Sequence, residues 1–225
     1  RIFPKSGACG AGFSMIIHTF IESKKCEKQP NLAHQIHVLA SENIARASAL
    51  VGAQLVYIST DHLWDGKKSM MCEDDPLQPI NAYARTKSNG ERLVRETNPE
   101  ALIIRTNFFG EGLPWRKSIS DWMVEKLSSG NKLHGFSDSF FTPISLVHLT
   151  KIIFDLAELD AKGIFHVAGS DRLSKYDFAL KLSRKLSLPD EQVIATTIKN
   201  AKLSAPRPLD LSLCTDKLAK FFGNP

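Results

Sequence analysis

The sequence has few cysteines and no pair of them at short spacing. The four cysteines, Cys9, Cys26, Cys72 and Cys214, are far apart in the 225-residue chain, and no histidine stands beside them at the spacing of a metal ligand. No C-x-x-C pair occurs, which excludes the usual zinc and dithiol redox motifs. The sequence therefore predicts reduced thiols and no metal site.

Long hydrophobic runs are also missing. No stretch approaches the roughly 18 to 20 apolar residues that cross a bilayer, and the first residues lack the charged and then apolar pattern of a secretory signal. Internal repeats and low-complexity linkers are absent from the sequence as well. We therefore predict a cytoplasmic protein with no membrane-spanning segment.

Charge of one sign is not concentrated anywhere in the chain. The net charge of +5 comes from 29 Lys and Arg against 24 Asp and Glu, and the two signs are interleaved. Nucleic-acid binding usually needs a clustered basic surface, so the sequence argues against a nucleic-acid partner. A diffuse basic surface suits an anionic ligand that carries phosphate.

What the sequence does contain is an alternation of strand and helix patterns. Short apolar runs predict strands at residues 14–18, 54–59, 101–105 and 163–167. Amphipathic periodicity predicts helices at residues 30–52, 82–97, 117–129, 146–159 and 175–186, with Ser174 as the N-cap of the last. This alternation predicts an α/β protein with a Rossmann-like, doubly wound parallel sheet.

The pattern loosens after Gly112, which predicts a second, smaller unit. We assign residues 1–107 to the Rossmann-like core, with residues 144–170 returning to it. Residues 108–143 and 171–225 are then predicted to form a substrate-binding subdomain.

A tyrosine and a lysine stand four residues apart in the predicted helix at 82–97. Tyr83 and Lys87 share one face of that helix, so the ammonium can favour the phenolate by Coulomb attraction. The helix follows a predicted strand that ends in Ser59-Thr60-Asp61. A tyrosine placed in this way can give or take a proton beside a sheet edge. Taken alone the pair is common, and a solvated lysine beside an interfacial tyrosine is the simpler interpretation.

An ordered series of motifs makes the chain resemble the extended short-chain dehydrogenase/reductases. The resemblance is strongest to the dTDP-4-dehydrorhamnose reductase, or sugar-nucleotide reductase, group, and it covers nearly everything from Ile16 onward. The motifs that carry it lie at residues 26–30, 59–66, 73–76, 83–87, 90–91, 104–107 and 205–208.

The resemblance implies a mechanism and a set of site residues. Tyr83 would protonate the C4 oxygen of a nucleotide-linked 4-keto sugar, Lys87 would hold the cofactor ribose, and Thr60 would hydrogen bond the reacting oxygen. The implied cofactor is NADP or NAD. The implied cofactor-binding residues are Ser59, Lys87, Arg105 and Thr106. The implied substrate contacts are Asp61, Asn107 and Arg207.

The sequence departs from the family pattern at its beginning. The family starts with a strand, a G-x-x-G-x-x-G turn and a helix, and the turn and helix bind the cofactor pyrophosphate. Here the glycine-rich residues 7–12 precede a predicted strand instead, so we expect an N-terminally incomplete fold and a weakened basis for dinucleotide binding. Without the family's first strand and helix, the edge of a neighbouring strand would be exposed, and this edge would favour a homodimer. Two further departures are His37, where asparagine is usual, and His62, where tyrosine is usual.

Three functional alternatives therefore stand. The intact Tyr83, Lys87 and Thr60 favour a sugar-nucleotide reductase. A truncated fragment or a non-catalytic binding or regulatory relative, like the regulatory relative of methionine adenosyltransferase in the same superfamily, can keep such motifs. A nucleotide-sugar epimerase or dehydratase is the third alternative, since Asp61 beside Thr60 offers the acidic residue that a dehydratase would need.

Overall fold

The computed structural model of the chain describes residues 2–4, 12–16, 23–201 and 205–223. Residues 7–11 of the glycine-rich segment and residues 17–18 of the first predicted strand lie outside the described residues. The strands are β1 Ile2–Pro4, β2 Gly12–Ile16, β3 Gln54–Ile58, β4 Leu102–Arg105, β5 Phe108–Phe109, β6 Leu133–Phe136, β7 Phe140–Phe141, β8 Ile144–Ser145, β9 Gly163–His166, β10 Leu173–Ser174, β11 Val193–Thr196 and β12 Asp210–Leu211. The α-helices are α1 Ser23–Lys28, α2 Pro30–His34, α3 Ala40–Leu50, α4 Ala82–Thr97, α5 Ile119–Ser128, α6 Leu146–Glu158, α7 Lys175–Lys185 and α8 Asp216–Phe221.

The central sheet has the strand order β1-β2-β3-β4-β9. Strands β2, β3, β4 and β9 pair in parallel, as predicted, whereas β1 pairs with β2 in the antiparallel direction. The antiparallel edge strand is an addition to the predicted sheet. Its three residues are too few to show a periodicity, so the strand is defined only by its pairing with β2.

Helices cover both faces of this sheet. Its inner strands are therefore buried on both sides. Tyr57 and Ile103 pack with Ala45 of α3 and Val94 of α4 on one face. On the other face, apolar residues of β3 and β4 pack against α6 and α8. Strand β4 is buried along its whole length, which is typical of an inner parallel strand. The predicted Rossmann-like, doubly wound architecture is confirmed.

A second core lies among the elements that follow β4. Met123 of α5 and Phe178 of α7 pack with Leu133, Phe141 and Val193 from strands β6, β7 and β11. Ser174 caps α7, as predicted: its hydroxyl accepts from the Asp177 backbone in a capping box. The division of the chain into a core and a substrate-binding subdomain stays a prediction.

Across the described ranges, no helix is both long and apolar enough to cross a membrane.

The predicted helix at residues 30–52 contains a π-helical segment, Gln35–Leu39, between α2 and α3. This segment lies directly on α4. A Cβ atom at Gly90 of α4 would stand 1.9 Å from the backbone carbonyl oxygen of His37. Only a residue without a side chain fits between the two backbones at this point. Close packing of the two segments therefore explains the glycine in the motif at 90–91.

We expect Gly90→Ala to destabilise the protein by about 2 kcal/mol or more, although alanine is the better helix former. The clash is with a backbone atom, which cannot rotate away as a side chain can. Urea unfolding followed by circular dichroism measures the change, with Asn89→Ala on the exposed face of the same helix as the control. A Gly90→Ala protein as stable as Asn89→Ala would contradict the packing described here.

Candidate active site

The ends of β3 and β4 bring four of the predicted site residues together. These strands are parallel neighbours, so their carboxyl ends meet at one edge of the sheet. Thr60 and Asp61 follow β3, and Thr106 and Asn107 follow β4. The amide of Asn107 donates a short hydrogen bond to the buried carboxylate of Asp61. The edge of the sheet where ligands enter open α/β folds therefore carries a prearranged polar group.

Tyr83 lies in the first turn of α4 and is buried. Its phenol hydrogen bonds with the hydroxyl of Thr60, and its ring packs edge-on against His37 and His62, with centroids 5.6 and 5.8 Å away. Burial raises the pKa of Tyr83 well above that of a free phenol, and the nearby Asp61 raises it further, while the Thr60 hydrogen bond opposes the shift. At neutral pH Tyr83 therefore holds its proton.

Lys87 lies one turn further along α4 and points to β3. Its ammonium donates to the carbonyl oxygen of Ile58 at 2.8 Å and to the phenolic oxygen of Tyr57 at 3.2 Å. It also lies 4.5 Å from the centroid of the Tyr57 ring. Burial lowers the pKa of Lys87 to about 7, and the carboxylate of Glu91 partly opposes that shift. The predicted attraction between Lys87 and the Tyr83 phenolate stays a prediction.

A buried ion pair lies beneath Lys87. The carboxylate of Glu91 accepts from Nε and Nη2 of the Arg105 guanidinium, with the shortest contact at 2.6 Å, and from the Ser59 hydroxyl at 2.8 Å. The side chains of Glu91 and Arg105 are each only 2% exposed. Ser59 and Arg105, which the sequence predicts as cofactor contacts, are thus engaged with Glu91 here. Their contact with a cofactor stays a prediction.

Thr106 presents a different situation. Its side-chain oxygen is buried and has no hydrogen-bond partner among the residues that the structure describes. A buried hydroxyl without a partner is unusual in folded proteins and needs an explanation. A bound ligand would supply the missing partner.

Three cations surround the polar group at the strand ends. Arg207 is exposed, and its charge acts on both His62 and the partly buried Lys175. Arg116, on the exposed loop before α5, lowers the pKa of Tyr83 by its charge. Burial lowers the pKa of His62, so this imidazole is neutral at pH 7. The two arginines therefore place positive charge near the polar group that includes the carboxylate of Asp61.

Comparison with known proteins shows the family of the chain. A family model described as the RmlD substrate binding domain matches residues 11–225. The chain belongs to this family. The resemblance to the dTDP-4-dehydrorhamnose reductase group, stated from the motifs, is thereby confirmed.

Individual relatives of this RmlD-type chain include a regulatory subunit and a reductase. Methionine adenosyltransferase 2 subunit beta from Rattus norvegicus is 32% identical over 215 residues, which cover 91% of this chain and 64% of that protein. The dTDP-4-dehydrorhamnose reductase from Sinorhizobium fredii is 28% identical over 224 residues, which cover 93% of this chain and 73% of that protein. The chain thus spans 64% of the length of the first of these relatives.

A solved structure extends the likeness to three dimensions. The dTDP-4-dehydrorhamnose reductase of Bacillus anthracis, in complex with NADP, superposes with a TM-score of 0.87 at 25% identity. The match covers 94% of this chain and 74% of that one. The RmlD-type fold is therefore shared over almost the whole chain.

Sequence reasoning missed Lys175 in this RmlD-type site. The residue begins α7, and its ammonium lies 3.0 Å from the centroid of the Phe141 ring. A positive charge in the first turn of a helix interacts unfavourably with the helix dipole. This unfavourable position was the one feature of the sequence that could have marked Lys175 as a site residue. Glu91 was recognised as part of a motif, but nothing local showed that it pairs with Arg105.

The lowered pKa of Lys175 predicts a pH-dependent stability. Burial lowers this pKa to about 7, whereas an exposed lysine titrates near pH 10.4. Between these two values the unfolded chain binds a proton that the folded chain does not, so stability rises as pH rises through this window. Lys87 contributes in the same sense.

As the pH rises from about 7 to about 9.5, we therefore expect the melting temperature of the Lys175→Met variant to rise less than that of the wild type. Scanning calorimetry at several pH values measures the difference. Lys185→Met, at an exposed position in the same helix, is the control and should follow the wild type. Parallel pH profiles for all three proteins would show that Lys175 stays protonated in the folded state.

Proposed function

We propose that the chain carries the catalytic centre of an NAD(P)H-dependent reductase that acts on a nucleotide-linked 4-keto sugar. The observation that carries the proposal is the buried Tyr83 phenol, hydrogen bonded to Thr60 at the carboxyl edge of a parallel sheet. The similarity to dTDP-4-dehydrorhamnose reductases supports the substrate class.

The residues at the strand ends fit a dinucleotide cofactor. Thr106 has a buried hydroxyl that lacks a partner among the described residues, and Lys87 has a buried ammonium beside the same edge. Lys87 and Thr106 would hold the ribose and nicotinamide end, with Ser59 nearby. The nicotinamide supplies the hydride when it is bound. The similarity to a reductase solved in complex with NADP supports this assignment.

Tyr83 is the proton donor in this proposal. A phenol whose pKa is raised by burial keeps its proton until an acceptor of rising basicity appears, and a carbonyl oxygen becomes such an acceptor as it is reduced. The positive charge of Arg116 and the Thr60 hydrogen bond then stabilise the phenolate that is left. The groups that stabilise the phenolate are thus in place before the proton is transferred.

Substrate binding is assigned to the polar group and the surrounding cations. Asp61 and Asn107 are fixed by their mutual hydrogen bond and can pair with sugar hydroxyls. Arg207 supplies positive charge to a site that would receive a diphosphate, and a bound anion would favour the charged form of Lys175, whose pKa burial lowers to about 7. A nucleotide-linked sugar offers both kinds of group.

A second candidate function is that of a non-catalytic regulatory subunit. The similarity to methionine adenosyltransferase 2 subunit beta favours it, at 32% identity over 215 residues. In this case the same site would bind a ligand without turnover, and the engagement of Lys87 by Tyr57 and Ile58 would have a purely structural purpose.

Titration with NADPH and NADH tests whether the chain binds a nicotinamide cofactor. A turnover assay then distinguishes the reductase from the regulatory subunit. We expect either cofactor to raise the melting temperature, because it binds only the folded chain, and we expect oxidation of NADPH to follow addition of a nucleotide-linked 4-keto sugar. Binding without turnover would favour the regulatory subunit. No binding by a folded sample would contradict the reductase proposal and leave the regulatory subunit as the candidate function.

A further inference from the structure

Two cysteines that are far apart in the sequence lie side by side next to the core. The segment before α4 pairs with the segment after β12 through a parallel bridge between Met71 and Leu213. The Met71 amide donates to Ser212 at 3.0 Å, and the Cys214 amide donates to Met71 at 2.9 Å. The residues that follow the bridge on the two segments are Cys72 and Cys214.

The register of this bridge sets the two side chains against each other. In a parallel pair, residues one step beyond a bridge lie opposite each other and point to the same face. Paired strands are separated by about 4.8 Å, which falls inside the range of roughly 4.4 to 6.8 Å between Cα atoms that a disulfide spans. The backbone at Cys72 and Cys214 is therefore placed for a bond between their sulfur atoms.

The two thiols differ in solvent exposure, and this difference gives each a separate role in oxidation. Both are free in the structure, with Cys72 exposed and Cys214 buried. Burial raises the pKa of Cys214 to about 11, and the neighbouring Cys72 side chain contributes to this rise. An exposed thiol meets a dissolved oxidant first, whereas a buried neighbour is protected until the first sulfur has reacted.

We propose that Cys72 and Cys214 are a site of reversible oxidation that forms a disulfide across the Met71–Leu213 bridge. The oxidant is hydrogen peroxide. The Cys72 sulfur attacks one peroxide oxygen, the O–O bond breaks, and water leaves once the second oxygen takes up a proton, which gives a sulfenic acid. The Cys214 sulfur then forms the S–S bond as the hydroxyl leaves as a second water. Two thiols are oxidised and one peroxide is reduced to two water molecules.

The proposed bond would connect segments that both support the candidate active site. The residue after Cys72 is Glu73, whose backbone carbonyl accepts from Arg105 at 3.0 Å. The Cys214 carbonyl accepts from the His166 ring at 3.2 Å, and the same imidazole contacts Arg105. The disulfide would thus fix the surroundings of the buried guanidinium that holds Glu91. It would also tie down the segment that follows Arg207.

Peroxide treatment of the reduced full chain tests the proposal. We expect the protein to lose the mass of two hydrogen atoms, and peptide mapping without reduction should show Cys72 linked to Cys214. The melting temperature should rise on the order of 5 to 10 °C, because the bond closes a long loop in the unfolded chain. Dithiothreitol should reverse both changes. None of these readouts requires that the proposed reductase activity exists.

Single substitutions assign the roles. Cys26→Ser, which alters a buried cysteine in another part of the fold, should form the same disulfide as the wild type. Cys214→Ser should leave Cys72 as a sulfenic acid that dimedone labels, and Cys72→Ser should leave Cys214 unoxidised. Cys214→Ala replaces the serine variant if a buried hydroxyl prevents folding. Oxidation of wild-type Cys72 without a link to Cys214, or a link to any other cysteine, would overturn the proposal.

Discussion

Replacement of Tyr83 by phenylalanine is expected to lower turnover of a nucleotide-linked 4-keto sugar by about 100- to 10,000-fold, because the substitution removes the transferable proton. Affinity for NADPH should stay within about twofold of the wild type, since the lost hydroxyl faces Thr60 and the substrate side of the site. Steady-state kinetics and a cofactor titration on the same samples measure the two effects separately.

The chain offers a matched control in Tyr176, a partly buried tyrosine of α7 that packs in the second core. Tyr176→Phe removes one hydroxyl from the same residue type and should leave turnover unchanged. Melting curves of both variants exclude unfolding as the cause of lost activity. Wild-type turnover by Tyr83→Phe would remove the tyrosine from the chemistry and with it the main support for the reductase proposal.

Much of the fold could be predicted because its signals are local. Helix α4 has an amphipathic pattern and an asparagine N-cap, so its predicted range of 82–97 matches the observed Ala82–Thr97. Strands β3 and β4 are apolar runs of a few residues, bounded by polar ones. Once parallel pairing is assumed, the convergence of Asp61 and Asn107 follows from geometry, because both residues stand just after a strand.

The features that were missed depend on contacts between distant parts of the chain. Strand β1 is an exception, because it pairs with the nearby β2 and is simply too short a run to show a pattern. Arg105 looks like a ligand contact in the sequence, because it stands at the end of a strand, and only the folded chain shows that Glu91 engages it. The lowered pKa of Lys175 likewise results from burial, which no local pattern records.

One face of α4 connects the candidate chemistry with the core. Tyr83, Lys87 and Glu91 follow one another at four-residue intervals, so they form a single stripe along the helix. The stripe runs from the phenol that donates the proton, through the ammonium that contacts β3, to the carboxylate that binds Arg105. The position of the helix, and hence of Tyr83, is therefore fixed in part by a buried ion pair.

That ion pair carries the largest expected effect on stability. Glu91→Gln keeps the shape of the side chain but leaves the Arg105 guanidinium buried without its counter-charge, since both side chains are 2% exposed. We expect a loss of about 3 to 5 kcal/mol in the free energy of unfolding. Urea denaturation at constant pH and salt measures it.

The same helix supplies the control, because Arg92 and Glu96 form an exposed pair four residues apart. Glu96→Gln should cost about 0.5 kcal/mol or less, since water and salt screen an exposed pair. The double variant Glu91→Gln/Arg105→Met removes both charges and should recover much of the stability lost in Glu91→Gln, because breaking a buried pair costs more than replacing it. Equal effects of Glu91→Gln and Glu96→Gln would mean that the pair is hydrated in solution, and the link between Tyr83 and the core would then have to rest on packing alone.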